Sequence, residues 1–225
     1  MHIITLSHDI YHHSPVHPAL KPPEIKQKTF ISRGDGYNSF ILNIENHSCT
    51  HVDAPAHFLE DGKKISDYKM EELVFLNPKI IDVPKGKEEL VLLDDIQKFD
   101  LDNIDALFIK TGFESFRYDN SDEYINKNPS VSSEVVDYIR RCYPKIRCLG
   151  VDIISISSSK YPEIGREAHI NAFKANNNFG EPLLLLEDMK LAHIKNDRLN
   201  KVIIIPWQII DVDSAPCTVL AEIID

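Results

Sequence analysis

The run His47-Ser48-Cys49-Thr50-His51-Val52-Asp53-Ala54-Pro55-Ala56-His57 sets three imidazoles and a carboxylate within eleven residues, with small side chains between them. Imidazole nitrogen and carboxylate oxygen are the usual donors to zinc and similar divalent ions. Four such groups on so short a stretch converge on one ion if the chain turns there. A polar loop with incidental histidines does not account for the small residues that separate them. The apolar run Phe40 to Ile44 is predicted to deliver the chain to this point as a buried strand. Pro55, which lacks an N–H and fixes its own φ, then bars a regular continuation. The expectation is a cluster at the end of a strand, in a bent segment, where a rigid element positions reactive groups.

Outward from this run, short apolar stretches rich in β-branched residues read as buried strands: Ile3 to Leu6, Lys79 to Val83, Ala106 to Ile109, Leu149 to Val151, Leu183 to Leu186, Val202 to Ile205 and Thr218 to Ile224. Helices are fewer. The clearest follows Pro129, where Ser132 or Ser133 caps a segment whose Val135, Val136 and Ile139 share a face. A second is predicted from Asp94 to Phe99. This mixture predicts an α/β fold, a single domain over residues 1–225 with a large mixed sheet and few helices. No repeat or linker interrupts it, and the proline-rich stretch Pro15 to Pro23 reads as a loop.

The chain is acidic, with a formal net charge of -10, and this argues against a nucleic-acid partner, which needs a basic patch to displace counterions. No apolar run approaches the roughly 20 residues of a membrane span. The N-terminal residues carry no basic segment followed by a long apolar one, so no secretory signal is expected. The four cysteines, Cys49, Cys142, Cys148 and Cys217, lack zinc-finger or redox spacing, and reduced thiols in the cytoplasm are the expectation.

The histidine run resembles the signature H-x-G-T-H-x-D-x-P-x-H of the metal-dependent cyclase family, which includes bacterial kynurenine formamidases and isatin hydrolases. The resemblance extends over the chain in the right order: Ile3 to His8 is similar to the opening strand, Phe58 to Ser66 to the "HF…DGK-I" continuation, Ala106 to Gly112 to the strand ending in "TG", Leu149 to Ile156 to the "GiD-xx-Si" stretch, and Asp213-Ser214-Ala215-Pro216 to the "DGaP" turn. It implies the family's swivelling β/β/α-like fold. It also implies a divalent metal, one or two ions, zinc first and manganese second. His47, His51 and Asp53 match the first ion's ligands, with Asp53 bridging to a second where two are bound. His169 and Glu187 complete the set, and Glu181 is a rival to Glu187. His57 matches the catalytic proton donor and acceptor.

The implied activity is a metal-dependent hydrolase of a small amide, cyclic amide or lactone, in which the ion supplies hydroxide near neutral pH and His57 passes a proton to the leaving nitrogen. Alternatives are an arylformamidase acting on N-formylkynurenine and a non-catalytic metal-binding protein. A small-molecule substrate and a homodimer or homotetramer follow from the same resemblance. Three positions depart from the pattern. Cys49 replaces the signature glycine and is expected to be a small packed residue. Residues 175–180, with three consecutive asparagines, read as an inserted loop between His169 and Glu187. Finally, His17, in Pro15-Val16-His17-Pro18, stands where kynurenine formamidases carry a tryptophan that lines the substrate pocket.

Overall fold

Several strands of this chain are apolar at every position, which requires cover on both faces of a sheet. A computed structural model of the protein, describing residues 2–175, 179–194 and 199–223, shows that cover. In chain order the elements are β1 (His2–Thr5), β2 (Glu24–Thr29), β3 (Ser39–Asn43), β4 (His51–Asp53), β5 (Val74–Phe75), β6 (Pro78–Asp82), β7 (Leu90–Val91), α1 (Leu93–Ile96), β8 (Ala106–Lys110), α2 (Phe116–Asp119), α3 (Ser121–Asn126), β9 (Ser130–Val131), α4 (Ser133–Cys142), β10 (Cys148–Val151), α5 (Pro162–Phe173), β11 (Leu184–Glu187), β12 (Leu199–Pro206) and β13 (Ser214–Ile223). Nine strands form one mixed sheet along the order β5-β12-β13-β4-β11-β10-β8-β6, with β1 paired to β13. The run β6-β8-β10-β11 is parallel, and β4 joins it antiparallel between β11 and β13. β6 at one end of the sheet packs against β12 near the other, so the sheet curls nearly closed.

The two-residue alternation of strands then decides which groups face which side. Val52, Leu184, Leu186, Ala215 and Val219 point into the concave core with Leu6, Phe75 and Phe108. Leu107, Ile109, Leu149, Val151 and Leu185 point the other way, onto a second core built with Val135, Val136, Ile139, Ala168 and Phe173 of the helices. By the same alternation His51, Asp53 and Glu187 leave the sheet on the helical side. α4 begins at Ser132, whose hydroxyl accepts from the Val135 amide, and this settles the choice between the two serines. α5 begins with Pro162 at its first turn, where the missing N–H costs nothing.

Three expectations need correction. The Phe40 to Ile44 run is a strand, but an exposed one: among the described residues β3 pairs with β2 alone, in a separate two-stranded hairpin. Nor does it deliver the cluster to a bend, because His51 to Asp53 is itself a fully buried strand within the main sheet. Its polar sequence hid it. The helix predicted from Asp94 to Phe99 is a single turn, Leu93–Ile96. The asparagine run at 176–178 and Ile224 lie outside the described residues.

Candidate metal centre

β4 presents His51 and Asp53 on one face, and its neighbour β11 ends at Glu187, paired in register with His51. His51 Nε2 lies 3.4 Å from Asp53 Oδ1 and 3.5 Å from Glu187 Oε2. His47, in the turn ahead of β4, brings Nδ1 to 2.9 Å from Asp53 Oδ1. His169 comes from α5, with Nε2 3.5 Å from Glu187 Oε1. The helix reaches the site because Gly165 lies against Ser157, where a Cβ would sit 2.1 Å from the serine's own Cβ. After β4, Pro55–His57 form a short 3-10 turn that carries His57. That turn is closed by Gly62, whose absent Cβ would meet the Pro55 carbonyl carbon and the Ala56 nitrogen at 2.4 Å. The structure therefore brings His47, His51, Asp53, His57, His169 and Glu187 together. Glu181 is exposed, outside this group.

The donor set fits a divalent ion. Both oxygens of Asp53 are fully buried without a well-aligned hydrogen bond, and the imidazoles of His47 and His51 stand 2.9 and 3.4 Å from Oδ1, so the cost of burying this charge is offset by an ion or by protons on those rings. Donor atoms of His51, Asp53 and Glu187 lie within 4.8 Å of one another, and so do those of His47, Asp53 and His57, so Asp53 belongs to both groups. Outer partners fix the ligands as well. His51 Nδ1 is 2.7 Å from the Cys49 carbonyl and His169 Nδ1 is 2.8 Å from that of Gly165, which leaves each Nε2 free to coordinate. Glu187 Oε1 accepts from the Ser155 hydroxyl and the Ile156 amide.

Without an ion, protons do the balancing. Burial opposes a charge on His47, but the Asp213 and Asp53 carboxylates outweigh it and push its pKa up to about 10. His51 and His169 are raised in the same way, against burial, by Asp53 and Glu187 and by Glu187 respectively. The same contacts hold Glu187 well below the usual carboxylate range despite its burial. Ion loading therefore displaces protons from the histidines.

One residue of the site escaped the reading of the sequence. Asp213, at the start of β13, has Oδ2 2.9 Å from His47 Nε2 and 2.8 Å from His57 Nδ1, while Asn46 donates to its Oδ1 at 2.8 Å. These hydrogen bonds hold its carboxyl far below the ordinary value. The residue was visible in the Asp213-Ser214-Ala215-Pro216 turn, but only the β13–β4 register, Ser214 opposite Asp53, shows what it touches.

Cys49 is buried with φ +58°, in the left-handed region that its glycine counterpart occupies freely; for a residue with a Cβ this costs about 1–2 kcal/mol. Its thiol faces Ser14 and Arg117, and burial pushes its pKa up. It belongs to neither group of converging donors.

A cavity of about 260 Å³ opens over the centre, lined by His17, Ala19, Leu20, Phe58 and Ile154 together with His47, His51, His57, His169 and Glu187. His17 is thus at the pocket wall, and burial lowers its pKa and favours the neutral ring. Phe58 stacks on His169, ring centroids 4.6 Å apart, so one of its faces is already covered. Tyr11 is exposed and does not line the cavity.

Residues 4–158 match the family model described as "Putative cyclase". An uncharacterized protein of Haemophilus influenzae is 31% identical over 125 residues, 55% of this chain and 88% of that one. A kynurenine formamidase of Bacillus anthracis is 29% identical over 180 residues, 78% of this chain and 75% of its own length. Among solved structures, isatin hydrolase A from Labrenzia aggregata superposes with a TM-score of 0.79 at 18% identity, covering 98% of this chain and 93% of that one, a likeness of fold.

Proposed function

The chain belongs to the cyclase family, and from that premise we propose that it is a metal-dependent hydrolase of carbon–nitrogen bonds in a small amide or cyclic amide, with lactones as a related class. The observation that carries the proposal is the fully buried Asp53, faced by the imidazoles of His47 and His51, behind a cavity lined by those histidines, His169 and Glu187, with His57 held beside it by Asp213. His47, His51, Asp53, Glu187 and His169 would hold a divalent ion, zinc first and manganese second, and Asp53 is common to both groups of converging donors. When bound, the ion supplies Lewis acidity and brings the pKa of a coordinated water toward neutrality. His57, with Nδ1 committed to Asp213, keeps Nε2 for taking up a proton and returning it to the leaving nitrogen. The apolar wall of Ala19, Leu20, Phe58 and Ile154 suits a flat, weakly polar substrate and keeps water from the reacting centre.

His17 sets the substrate preference. It offers a small polar-edged ring where a tryptophan would offer a broad stacking face, a difference worth about 1 kcal/mol or more. Phe58 is engaged with His169 and supplies only part of the missing surface. The zinc- and manganese-loaded proteins should therefore hydrolyse a small cyclic or aryl amide and turn over N-formylkynurenine weakly. The check is kcat/KM on N-formylkynurenine, isatin and simple lactones. An efficiency on N-formylkynurenine of about 10⁴ M⁻¹s⁻¹ or more, ordinary for an enzyme on its own substrate, would make kynurenine formamidase the better reading.

We also propose that the protein acts as a homodimer or homotetramer in which the β2–β3 hairpin rests on a second copy. The hairpin exposes Ile31, Tyr37, Phe40, Ile41 and Leu42, each more than half accessible. Two strands alone are marginal in water, and so large an apolar patch calls for cover. The hairpin carries Lys26, Lys28 and Arg33 against Glu24 and Asp35, in a chain of net charge -10, so its basic character complements the acidic remainder of another copy. Sedimentation velocity should show an oligomer that Phe40→Asp converts to smaller species. A monomeric parent, or an oligomer indifferent to Phe40→Asp, defeats the proposal. All four thiols are free, which supports a reducing compartment such as the cytoplasm. Among the described residues no helix is long and apolar enough to cross a membrane.

A further inference from the structure

Behind the candidate ligands, on the far side of Cys49 and Thr50, lies a second cluster of buried charge. Arg117 of α2 has a side chain of 0% exposure and donates Nε to Asp188 Oδ1 at 2.9 Å and Oδ2 at 3.1 Å, and Nη2 to Oδ2 at 2.9 Å. Tyr124 donates its hydroxyl to Asp188 Oδ1 at 2.6 Å. His8 brings an unpartnered Nε2 to 3.9 Å from both Glu114 Oε1 and Asp188 Oδ1, and Arg117 Nη1 is unpartnered as well. Such a pair is weak evidence for stability, because desolvating two charges offsets most of their attraction. Its location suggests another use. Asp188 directly follows Glu187 and takes a left-handed backbone, φ +53°. Its N–H donates to the Ile153 carbonyl at 2.8 Å, and its own carbonyl accepts from the Thr50 hydroxyl. Thr50 directly precedes His51, and its hydroxyl oxygen accepts from the His8 amide at 2.9 Å. A left-handed residue on each ligand strand, Cys49 before His51 and Asp188 after Glu187, persists only where neighbours over-determine it.

We propose that Arg117 and Asp188 are positioning residues that hold His51 and Glu187 at coordinating distance across the β4–β11 pair. The guanidinium fork locks the Asp188 carboxylate. That lock fixes the left-handed turn, the turn fixes the end of β11, and the Asp188 carbonyl ties Thr50, and so His51, to the same anchor. The His51 Nε2 to Glu187 Oε2 separation of 3.5 Å is the product of this chain of contacts. A lysine at 117 would keep the charge but lose the fork, and so loosen the geometry while leaving the fold in place. The inference rests on the reading of the centre as an ion site.

The test measures ion affinity directly, by competition of purified protein with a chromogenic chelator for Zn²⁺ and Mn²⁺. The Mn²⁺ electron paramagnetic resonance spectrum and the melting temperature in excess chelator are recorded alongside. Arg117→Lys should keep the ion-free melting temperature close to the parent's, raise the dissociation constant by about 10- to 100-fold, the usual effect of losing an outer-shell partner, and broaden the Mn²⁺ spectrum. Should Arg117→Lys not fold, the uncharged double variant Arg117→Gln with Asp188→Asn serves instead and should weaken ion binding by the same range. Asp53→Ala is the reference that removes a ligand. Parent binding that is lost in Asp53→Ala but kept within threefold, with an unchanged spectrum, in the folded Arg117 variant would overturn the positioning role and leave the ion site standing. A parent that binds neither ion would overturn both.

Discussion

Asp53→Ala is expected to lose its divalent ion and its hydrolytic activity together, whereas His57→Ala is expected to keep most of the ion and lose turnover. Asp53 has both oxygens buried against the imidazoles of His47 and His51, and it belongs to both groups of converging donor atoms. Removing it takes away the one carboxylate that the two groups share. His57 differs, because it is partly open to the cavity and its Nδ1 is engaged by Asp213. Its loss should remove proton transfer, an effect of about 10²- to 10⁴-fold on kcat, while elemental analysis of the purified variant finds the ion still present. The contrast is decisive because a nitrogen of His57 lies within 4.8 Å of the shared carboxylate. Ion loss in His57→Ala as complete as in Asp53→Ala would make His57 a ligand and leave the proton transfer without an owner.

The second large effect is expected from Asp213→Asn. The substitution preserves size but replaces an acceptor-only carboxylate with an amide whose NH₂ cannot accept from an imidazole. In the parent, Oδ2 serves His57 Nδ1 and His47 Nε2 at once, and so fixes His57 as the tautomer with its proton on Nδ1 and its lone pair on Nε2. An asparagine supports that tautomer at one histidine at most. Losing the equivalent carboxylate in other His–Asp pairs costs about 10⁴-fold in kcat. A loss on the order of 10³-fold is expected here, with KM little changed, because Asp213 does not line the cavity. Steady-state kinetics on whichever amide the screen identifies would show it, and an Asp213→Asn enzyme within a factor of three of the parent would remove Asp213 from the catalytic apparatus.

Much of this architecture was legible because buried strands announce themselves in apolar, β-branched runs. Lys79 to Val83, Ala106 to Ile109, Leu149 to Val151 and Leu183 to Leu186 became the parallel core β6, β8, β10 and β11. That signal is absent where function overrides composition. β4 reads His-Val-Asp, and a strand whose helix-side residues are candidate ligands carries no hydrophobic signal. β3 failed in the opposite sense, since its apolar residues are exposed on a hairpin and lie outside both cores. α5 was missed because it buries Gly165, Ala168, His169 and Ala172, residues chosen for close approach to Ser157 and Glu187, so its apolar stripe is faint. Asp213 could be quoted from the sequence but not assigned, because its partners depend on which strand lies beside β13.

The pairing of His2 with Ile223 and of Ser214 with Asp53 also governs the order of events when the chain folds. The contact of His2 with Ile223 closes a very long loop, and folds dominated by such contacts form slowly. The fragment His47 to His57 is available early, but Glu187, and Asp213 as the support for His47 and His57, arrive only when β11 and β13 are in place. An incomplete chain therefore offers an ion only part of the site. Tight ion occupancy becomes a late event that reports a finished molecule, and release of the ion is among the first things that fraying of β13 would bring about.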